Sequence, residues 1–487
     1  MSCITRFAPS PTGDLHIGSV RTALYCWLFA KKNHGKLILR IEDTDLARST
    51  REFVNVILAG LDWLGITYDD KPIFQSERTV RYLQIVEQLL TNNLAYRCTC
   101  SKERLDNLRT SQMQAKQKPK YDGHCREKNI PATTKQPYVI RFKNPLNGTV
   151  EFNDLVRGKV AIDNQELDDL ILLRSDNTPT YNLTVVVDDV DMGITDIIRG
   201  EDHISNTPKQ INIMQAIGAK VPRYAHIPMI LGKDGGKLSK RHGAASVLEY
   251  QKLGILPQAL LNYLARLGWS HGDQEIFTTQ ELIELFDINA VNKSAATFDL
   301  DKLLWFNHHY LANSSTQELI IPFKQQLSYL TPNTHTNQIS PDTIEAIIEL
   351  YKPRAKTLQD MARDSSYFFQ SDDELAITPE LLQTSFAALV ANVNQQPNVL
   401  LALDKLLDQL TNLTNWHASE LKSLIKATVS EFNLKFAEVA IPLRVITTGR
   451  EQTPSIDRVL EIIGKQLTID RIKIGIEQLK ILTAASK

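Results

Sequence analysis

The chain has 487 residues, of which 43% are hydrophobic and 23% charged, an ordinary composition for a globular protein. Its 55 Lys and Arg nearly balance 56 Asp and Glu, so the formal charge of −1 points to no nucleic-acid partner, and any basic surface must be local. No apolar run approaches the roughly 18 residues of a membrane span, the first residues lack the charged-then-apolar order of a secretory signal, and five scattered cysteines fit a reducing compartment. The expectation is a cytoplasmic protein, not a membrane one, with about three or more domains.

The chain opens on a short strand pattern, Ile4 to Ala8, stopped by Pro9, Pro11 and Gly13. An apolar helical stretch, Val20 to Lys32, ends at His34-Gly35, and Leu37 to Ile41 is short and apolar enough for a buried strand. Ser49-Thr50-Arg51-Glu52 has capping-box spacing, after which Phe53, Val56, Ile57, Leu61 and Leu64 recur at helical intervals until Gly65. Strand, helix, strand, helix is the opening of an α/β nucleotide-binding fold. Residues 76–175 break that rhythm. It resumes with Val185-Val186-Val187, then Ile194 to Arg199, then a helix with Thr207 as N-cap, Pro208 in its first position and Gly218 at its close. The pattern predicts a Rossmann-type domain, residues 1–75 and 176–225, interrupted by an insertion, 76–175. A strand-like run, Ala225 to Leu231, precedes a loop rich in Gly and Lys, Gly232 to Gly243, within a segment spanning 226–312. No glycine stands between Gly272 and Gly449, and helical periodicity there predicts an all-α C-terminal region, divided into 313–375 and 376–487.

Three local features carry chemistry. Between Ala95 and Lys143 stand twelve Lys and Arg against four Asp and Glu, a basic stretch able to neutralise backbone phosphates or simply to be solvated. The loop Pro9 to Ser19 joins the first strand to the first helix, where helix N-terminal amides meet phosphate. His16 can add a hydrogen bond there, and Gly18, lacking a Cβ, leaves room for a flat adenine, although His16 alone would read as a surface histidine. Lys237-Leu238-Ser239-Lys240-Arg241 follows Gly235-Gly236; two lysines three apart in a glycine-rich loop can neutralise a triphosphate, or belong to a solvated loop.

Together, His16-Ile17-Gly18-Ser19 and Lys237 to Arg241, about 220 residues apart, resemble the two signatures of class I aminoacyl-tRNA synthetases, His-Ile-Gly-His and Lys-Met-Ser-Lys-Ser. The departures at Ser19, Leu238 and Arg241 are common in the glutamate-type branch. Arg6 to Gly13, Leu39 to Asp45, Pro179 to Asn182 and Ile198 to His203 are similar to runs of bacterial glutamyl-tRNA synthetases. The resemblance implies a Rossmann catalytic domain, an inserted acceptor-stem-binding domain, a stem-contact region and a helical anticodon-binding region. It implies ligation of L-glutamate to tRNA(Glu) through a glutamyl-adenylate, with ATP and Mg²⁺, by a monomer.

By the same resemblance His16 and Gly18 hold ATP, Lys240 stabilises the phosphoryl transition state and Lys237 helps to close the loop. Arg6, Ser10, Glu42, Tyr181 and Arg199 match glutamate-binding positions, the arginines suiting a carboxylate and Glu42 the ammonium. Some relatives carry Asn where this chain has Val185, so the polar contact made there is absent or supplied elsewhere. Arg354 matches an anticodon-discriminating arginine. Cys98, Cys100 and Cys125 are expected to hold a structural Zn²⁺ with Tyr121 as fourth ligand, or else Glu127. Two other readings stand beside the ligase: an enzyme that also charges tRNA(Gln), and a non-catalytic tRNA-binding paralogue, which intact His16, Lys237 and Lys240 disfavour. Glutamyl-queuosine synthetases lack an anticodon-binding part, and glutaminyl-tRNA synthetases bind the anticodon with β-barrels, so the long helical C-terminal region fits neither.

Overall fold

The computed structural model describes residues 2–45, 47–236, 238, 246–330, 339–371, 375, 377, 381, 382, 385 and 396–485. The chain divides into two compact units, one of residues 1–251 and 257–306, the other of 252–256 and 307–487. The five expected segments are a finer division than this. No helix among the described residues is long and apolar enough to cross a membrane.

The first unit begins with β1 (Ile4–Phe7), α1 (Ile17–Lys32), β2 (Lys36–Ile41), α2 (Arg51–Leu64) and β3 (Asp69–Phe74). β1, β2 and β3 form a parallel sheet with β2 in the middle. α1 is buried along most of its length, from Ile17 through Ala30, as befits a crossover packed between the sheet and other helices. The expected capping box does not form, and the cap itself lies one residue further on. Thr50, not Ser49, is the N-cap of α2, its hydroxyl accepting from Phe53 N at 3.3 Å. Ser49 Oγ is buried without a hydrogen-bond partner. At the other end Gly65 has φ +68°, a left-handed cap that suits glycine, and its N–H donates to Asp62 O at 3.0 Å.

The middle of the chain supplies α3 (Thr79–Thr91), β4 (Ala95–Cys98), α4 (Lys102–Gln114), β5 (Val139–Phe142), β6 (Thr149–Asp154), β7 (Gly158–Asp163) and β8 (Ile171–Leu173). Then come α5 (Tyr181–Asp191), β9 (Asp196–Gly200), α6 (Thr207–Ala216) and β10 (Arg223–Ile227). β9 and β10 pair in parallel, and the β6–β7 hairpin adds to the free edge of β10. Thr195 N donates to Ile4 O at 3.0 Å, so the start of β9 lies beside β1. The strand order β3-β2-β1-β9-β10 reverses direction between β1 and β9, which is where a doubly wound sheet opens its ligand crevice.

Three details differ from the sequence pattern. Val185 to Val187, three β-branched residues in a row, lie in helix α5. The helix wins because Leu183, Val186 and Val187 pack with Tyr82, Ile85 and Leu89 of α3, while Asp188, Asp189 and Asp191 meet arginines. Thr207 is the first residue of α6 and Asn206 its N-cap; the Thr207 hydroxyl is taken by Arg199 and His226. The run Ala225 to Leu231 breaks at Pro228, β10 ending at Ile227 and a two-residue strand, Ile230–Leu231, pairing instead with Ala296–Thr297.

The second unit is helical, with α-helices at Thr316–Leu330, Pro341–Tyr351, Leu358–Asp364, Gln396–Asn412, Ala418–Glu431, Phe436–Thr448, Ile456–Ile463 and Lys465–Ala485 among its described residues. Leu403, Leu406, Leu421, Ile425, Leu443, Ile446, Leu460 and Ile472, all fully buried, form its core.

The displaced cap makes a direct prediction. Thr50→Ala should lower unfolding free energy by about 1 kcal/mol, the usual worth of an N-cap. Ser49→Ala removes an unpartnered buried hydroxyl and should cost clearly less, or stabilise. Urea denaturation of the two variants decides the order.

Candidate active site

At the carboxyl ends of β1, β2 and β9 lies a cleft of about 840 Å³. Arg6, Ser10, His16, Gly18, Glu42, Tyr181 and Arg199, from five separate stretches of sequence, all line it. Each arrives for a local reason. Arg6 and Arg199 are each the last residue but one of their strands, Glu42 follows β2 with its N–H donating to Pro9 O at 3.0 Å, and Tyr181 begins α5. His16 is the N-cap of α1, with its ring exposed, and a Cβ on Gly18 would meet nothing within 4 Å. Leu238 also lines the cleft, its N–H donating to Ile230 O at 3.2 Å. Lys237, Lys240 and Arg241 lie outside the described residues.

Beneath the cleft runs a buried charge network that the sequence motifs did not announce. Asp189 Oδ1 accepts from Arg6 Nε at 3.2 Å and from Arg40 Nη1 at 2.7 Å. Arg40, fully buried, also donates to Glu42 Oε1 at 3.2 Å and lies 3.7 Å from Asp188. Asp188 is further held by Gln75, Arg78 and Tyr82 at 2.6–3.1 Å. Burial works against ionisation of Asp189, yet Arg40 and Arg6 more than offset it and hold the carboxyl below its usual range. Burial has the upper hand at Glu42, whose carboxyl is raised despite the pull of Arg40 and Arg6.

Arg199 is different. Only 5% exposed, it forms no ion pair among the described residues. Its Nε donates to His226 Nε2 at 3.2 Å and its Nη2 to Thr207 Oγ1 at 2.7 Å, both neutral acceptors, and Nη1 has no partner among the described residues. Burial lowers its pKa. A buried guanidinium without an anion is costly. An anionic ligand in the cleft would supply the missing charge.

Val185 is buried on α5, one turn beyond Tyr181. His203 and Asn206 also line the cleft. His203 Nδ1 is 3.0 Å from Tyr181 Oη and 3.5 Å from Asn206 Nδ2, and burial followed by Arg199 lowers the imidazole pKa, leaving a neutral ring.

Two family patterns match the chain: "tRNA synthetases class I (E and Q), catalytic domain" over residues 2–305, and "Anticodon binding domain" over 317–476. The chain belongs to the class I tRNA synthetases of the glutamate and glutamine type. It is 50% identical over 471 residues to a glutamate–tRNA ligase of Coxiella burnetii, covering 96% of each chain. A glutamate–tRNA ligase of Nitrosomonas europaea is also 50% identical, over 96% of this chain and 98% of its own. Among solved structures, a glutamate tRNA ligase from Elizabethkingia meningosepticum, in complex with its amino acid, is similar with a TM-score of 0.84 and 33% identity, covering 98% of this chain and 99% of that one. These matches bear out the synthetase resemblance, the α/β catalytic half and the helical anticodon-binding region.

This synthetase carries a second constellation at the end of β4. The sulfurs of Cys98, Cys100 and Cys125 lie within 4.8 Å of one another. Tyr121 Oη is 3.3 Å from Cys98 Sγ and 3.5 Å from Cys100 Sγ, and accepts from Cys125 N at 2.9 Å. Ligands around a tetrahedral zinc, with Zn–S of about 2.3 Å, stand at such separations. The four side chains pack as a small cluster with Tyr96, and the Arg141 guanidinium covers the Tyr121 ring at 3.8 Å. Glu127, by contrast, is 78% exposed and pairs with Arg126 and Lys143 at 3.6 and 3.7 Å, and His124 Nε2 is 2.6 Å from Lys128 Nζ. The donor set fits zinc, with Tyr121 better placed than Glu127 as fourth ligand. Metal analysis should find about one zinc per chain. Cys125→Ser should lose it, Tyr121→Phe should weaken retention against a chelator, and Glu127→Gln should leave retention unchanged.

Proposed function

We propose that the protein joins L-glutamate to tRNA(Glu) in two steps within this cleft. A glutamate α-carboxylate oxygen attacks the α-phosphorus of ATP, which enters with Mg²⁺; the bond to the bridging oxygen breaks and pyrophosphate leaves. A ribose hydroxyl of the tRNA's terminal adenosine then attacks the acyl carbon of the glutamyl-adenylate, and AMP leaves. No protein nucleophile is required, so the residues position substrates and stabilise charge.

The observation that carries this reading is Arg199, a buried cation without an anionic partner among the described residues, in one cleft with Arg6, Glu42 and Tyr181. Arg199 takes the substrate γ-carboxylate. Arg6, already bonded to Asp189, contributes from a partly neutralised position. Glu42, bonded to Arg40 at 3.2 Å and lining the cleft, faces the substrate ammonium. His16 and the open backbone at Gly18 receive ATP at the N-terminus of α1. Lys240, with Lys237, stabilises the departing phosphate charge. Zinc held by Cys98, Cys100, Cys125 and Tyr121 would stiffen the basic stretch that meets the tRNA acceptor end. The reading includes a monomer in the cytoplasm.

Pyrophosphate exchange with ATP, glutamate and tRNA tests this. Arg199→Gln should cost about 2–5 kcal/mol in glutamate recognition, more than Arg6→Gln, with ATP binding largely kept. Lys240→Ala should lower turnover about 10²-fold or more while ATP affinity changes far less. Exchange that is absent from the wild-type protein, or a glutamate KM unmoved by Arg199→Gln, would overturn the reading.

Arg354 is exposed in the second unit, its N–H donating to Tyr351 O at 3.0 Å, and so is free to meet a nucleotide. Its proposed part is anticodon discrimination. Charging rates on purified tRNA(Glu) and tRNA(Gln) should move towards each other in Arg354→Gln, without loss of pyrophosphate exchange; an unchanged ratio would return Arg354 to the solvated surface.

A further inference from the structure

The guanidinium of Arg199 is held in place by a chain of hydrogen bonds that leads away from the cleft. Arg199 Nε is a donor with no lone pair, so across 3.2 Å the His226 Nε2 must accept. The ring can accept there only with its proton on Nδ1. That nitrogen lies 2.6 Å from Asp154 Oδ2, which accepts it. His226 and Asp154 are both buried, so water cannot replace either bond. The carboxylate is itself fixed: Oδ1 accepts from Val156 N at 3.0 Å and from Arg157 N at 2.8 Å, and His226 N donates to the carboxylate at 3.1–3.2 Å. Thr207 Oγ1, accepting from Arg199 Nη2, lies 3.0 Å from His226 Nε2 and closes the triangle.

We propose that Asp154 and His226 are positioning residues for amino-acid recognition: Asp154 fixes the tautomer of His226, and His226 fixes the plane of the Arg199 guanidinium towards the substrate side-chain carboxylate. This rests on the reading of Arg199 given above. It gives the β6–β7 hairpin a part in substrate choice. Asp154 ends β6, His226 lies on β10 and Arg199 on β9, so three adjacent strands pass one constraint across the sheet. A guanidinium locked in one plane offers its two-pronged edge to a carboxylate, whereas the amide of glutamine would set an N–H against an N–H.

The Asp154→Asn substitution separates positioning from packing. The backbone N–H groups of Val156 and Arg157 keep an oxygen at the Oδ1 position, which leaves the new amide NH₂ facing His226 Nδ1. The ring proton must then move to Nε2, where it opposes the Arg199 N–H. We expect the glutamate KM in tRNA-dependent pyrophosphate exchange to rise about tenfold or more, the scale of one hydrogen bond to a charged group. The ATP KM should stay within about twofold, as for a distant independent site. Nitrogen-15 NMR of labelled histidine should report an Nδ1–H ring in the wild type and an Nε2–H ring in the variant. Adding Asp154→Asn to Arg199→Gln should cause little further rise, because the relay acts through Arg199. His226→Gln, whose amide oxygen can accept from Nε, should keep a lower glutamate KM than His226→Leu.

If Arg199→Gln itself leaves the glutamate KM unchanged, the anchor reading fails and the relay falls with it. If Arg199→Gln raises the KM but Asp154→Asn does not, or if the double substitution is fully additive, the relay alone is overturned. Should Asp154→Asn fail to fold, the His226 pair decides, and a Gln variant no better than Leu overturns the proposal.

Discussion

The catalytic unit is organised around one carboxylate. Asp189 Oδ1 takes a hydrogen bond from Arg6 on β1 and another from Arg40 on β2, so helix α5 is tied to two strands of the sheet through a single buried oxygen. Removing one member of such a cluster leaves an uncompensated buried charge, a cost of about 3–5 kcal/mol. The cleft inherits its shape from this tie. Tyr181 stands at the head of the same helix, Arg6 points from β1 beside it, and Glu42 is drawn in by Arg40. The groups lining the pocket owe their positions to charges underneath it.

On the proposed reading of Arg199, the charge pattern of the cleft would also carry selectivity. Arg6 and Arg40 share Asp189, and Arg40 reaches Glu42 and Asp188 as well, so these cations are balanced by protein anions. Among the described residues Arg199 and Arg21 have no such partner. Both are nearly fully buried, both line the cleft, and their bonds there go to neutral oxygens and nitrogens: Arg21 to the carbonyls of Leu267 and Pro228, Arg199 to His226, Thr207 and a carbonyl. A site built with a deficit of negative charge favours substrates that bring it, and an amino acid with a side-chain carboxylate together with ATP does so. A neutral amino acid would leave Arg199 uncompensated, which is the stronger kind of discrimination because it penalises the wrong ligand.

The cleft was legible from the sequence to the extent that its residues sit in short contiguous runs. Arg6 and Ser10, His16 and Gly18, and the stretch from Ile198 to His203 were legible through the synthetase resemblance, whose motifs are contiguous runs at strand ends and helix starts, where chain order and spatial position coincide. The supporting network was not legible. Asp189 is 183 residues from Arg6 and 149 from Arg40, and His226 is 72 from Asp154. Such pairings leave no local spacing to read. The valine run misleads for the same reason: the pull of Arg78, Arg6 and Arg40 on Asp188 and Asp189 fixes α5 as a helix, and none of those partners is near in sequence. Thr207, well suited to cap a helix, instead spends its hydroxyl on Arg199 and His226.

The segment between the two halves of the nucleotide fold is less of an insertion than its broken rhythm implies. Its helix α3 and strands β5 and β8 share one apolar core with α5 and α6, where Tyr82, Leu89, Phe142 and Leu172 meet Leu183, Val186, Ile213 and Met214. Its β6–β7 hairpin extends the main sheet beyond β10. Only the part around β4 and α4 stands on little core of its own: α4 buries no residue, and its cluster consists of Tyr96, two cysteines and Tyr121. A region with so little apolar burial needs another source of cohesion, and the cysteine–tyrosine cluster is where a metal would supply it. The two solutions suit the two edges of the segment. Where it adjoins β10 it is welded to the sheet by ordinary packing and strand pairing, which fixes Asp154 at the end of β6. Around β4 and α4, which carry part of the basic stretch, a local clip is sufficient.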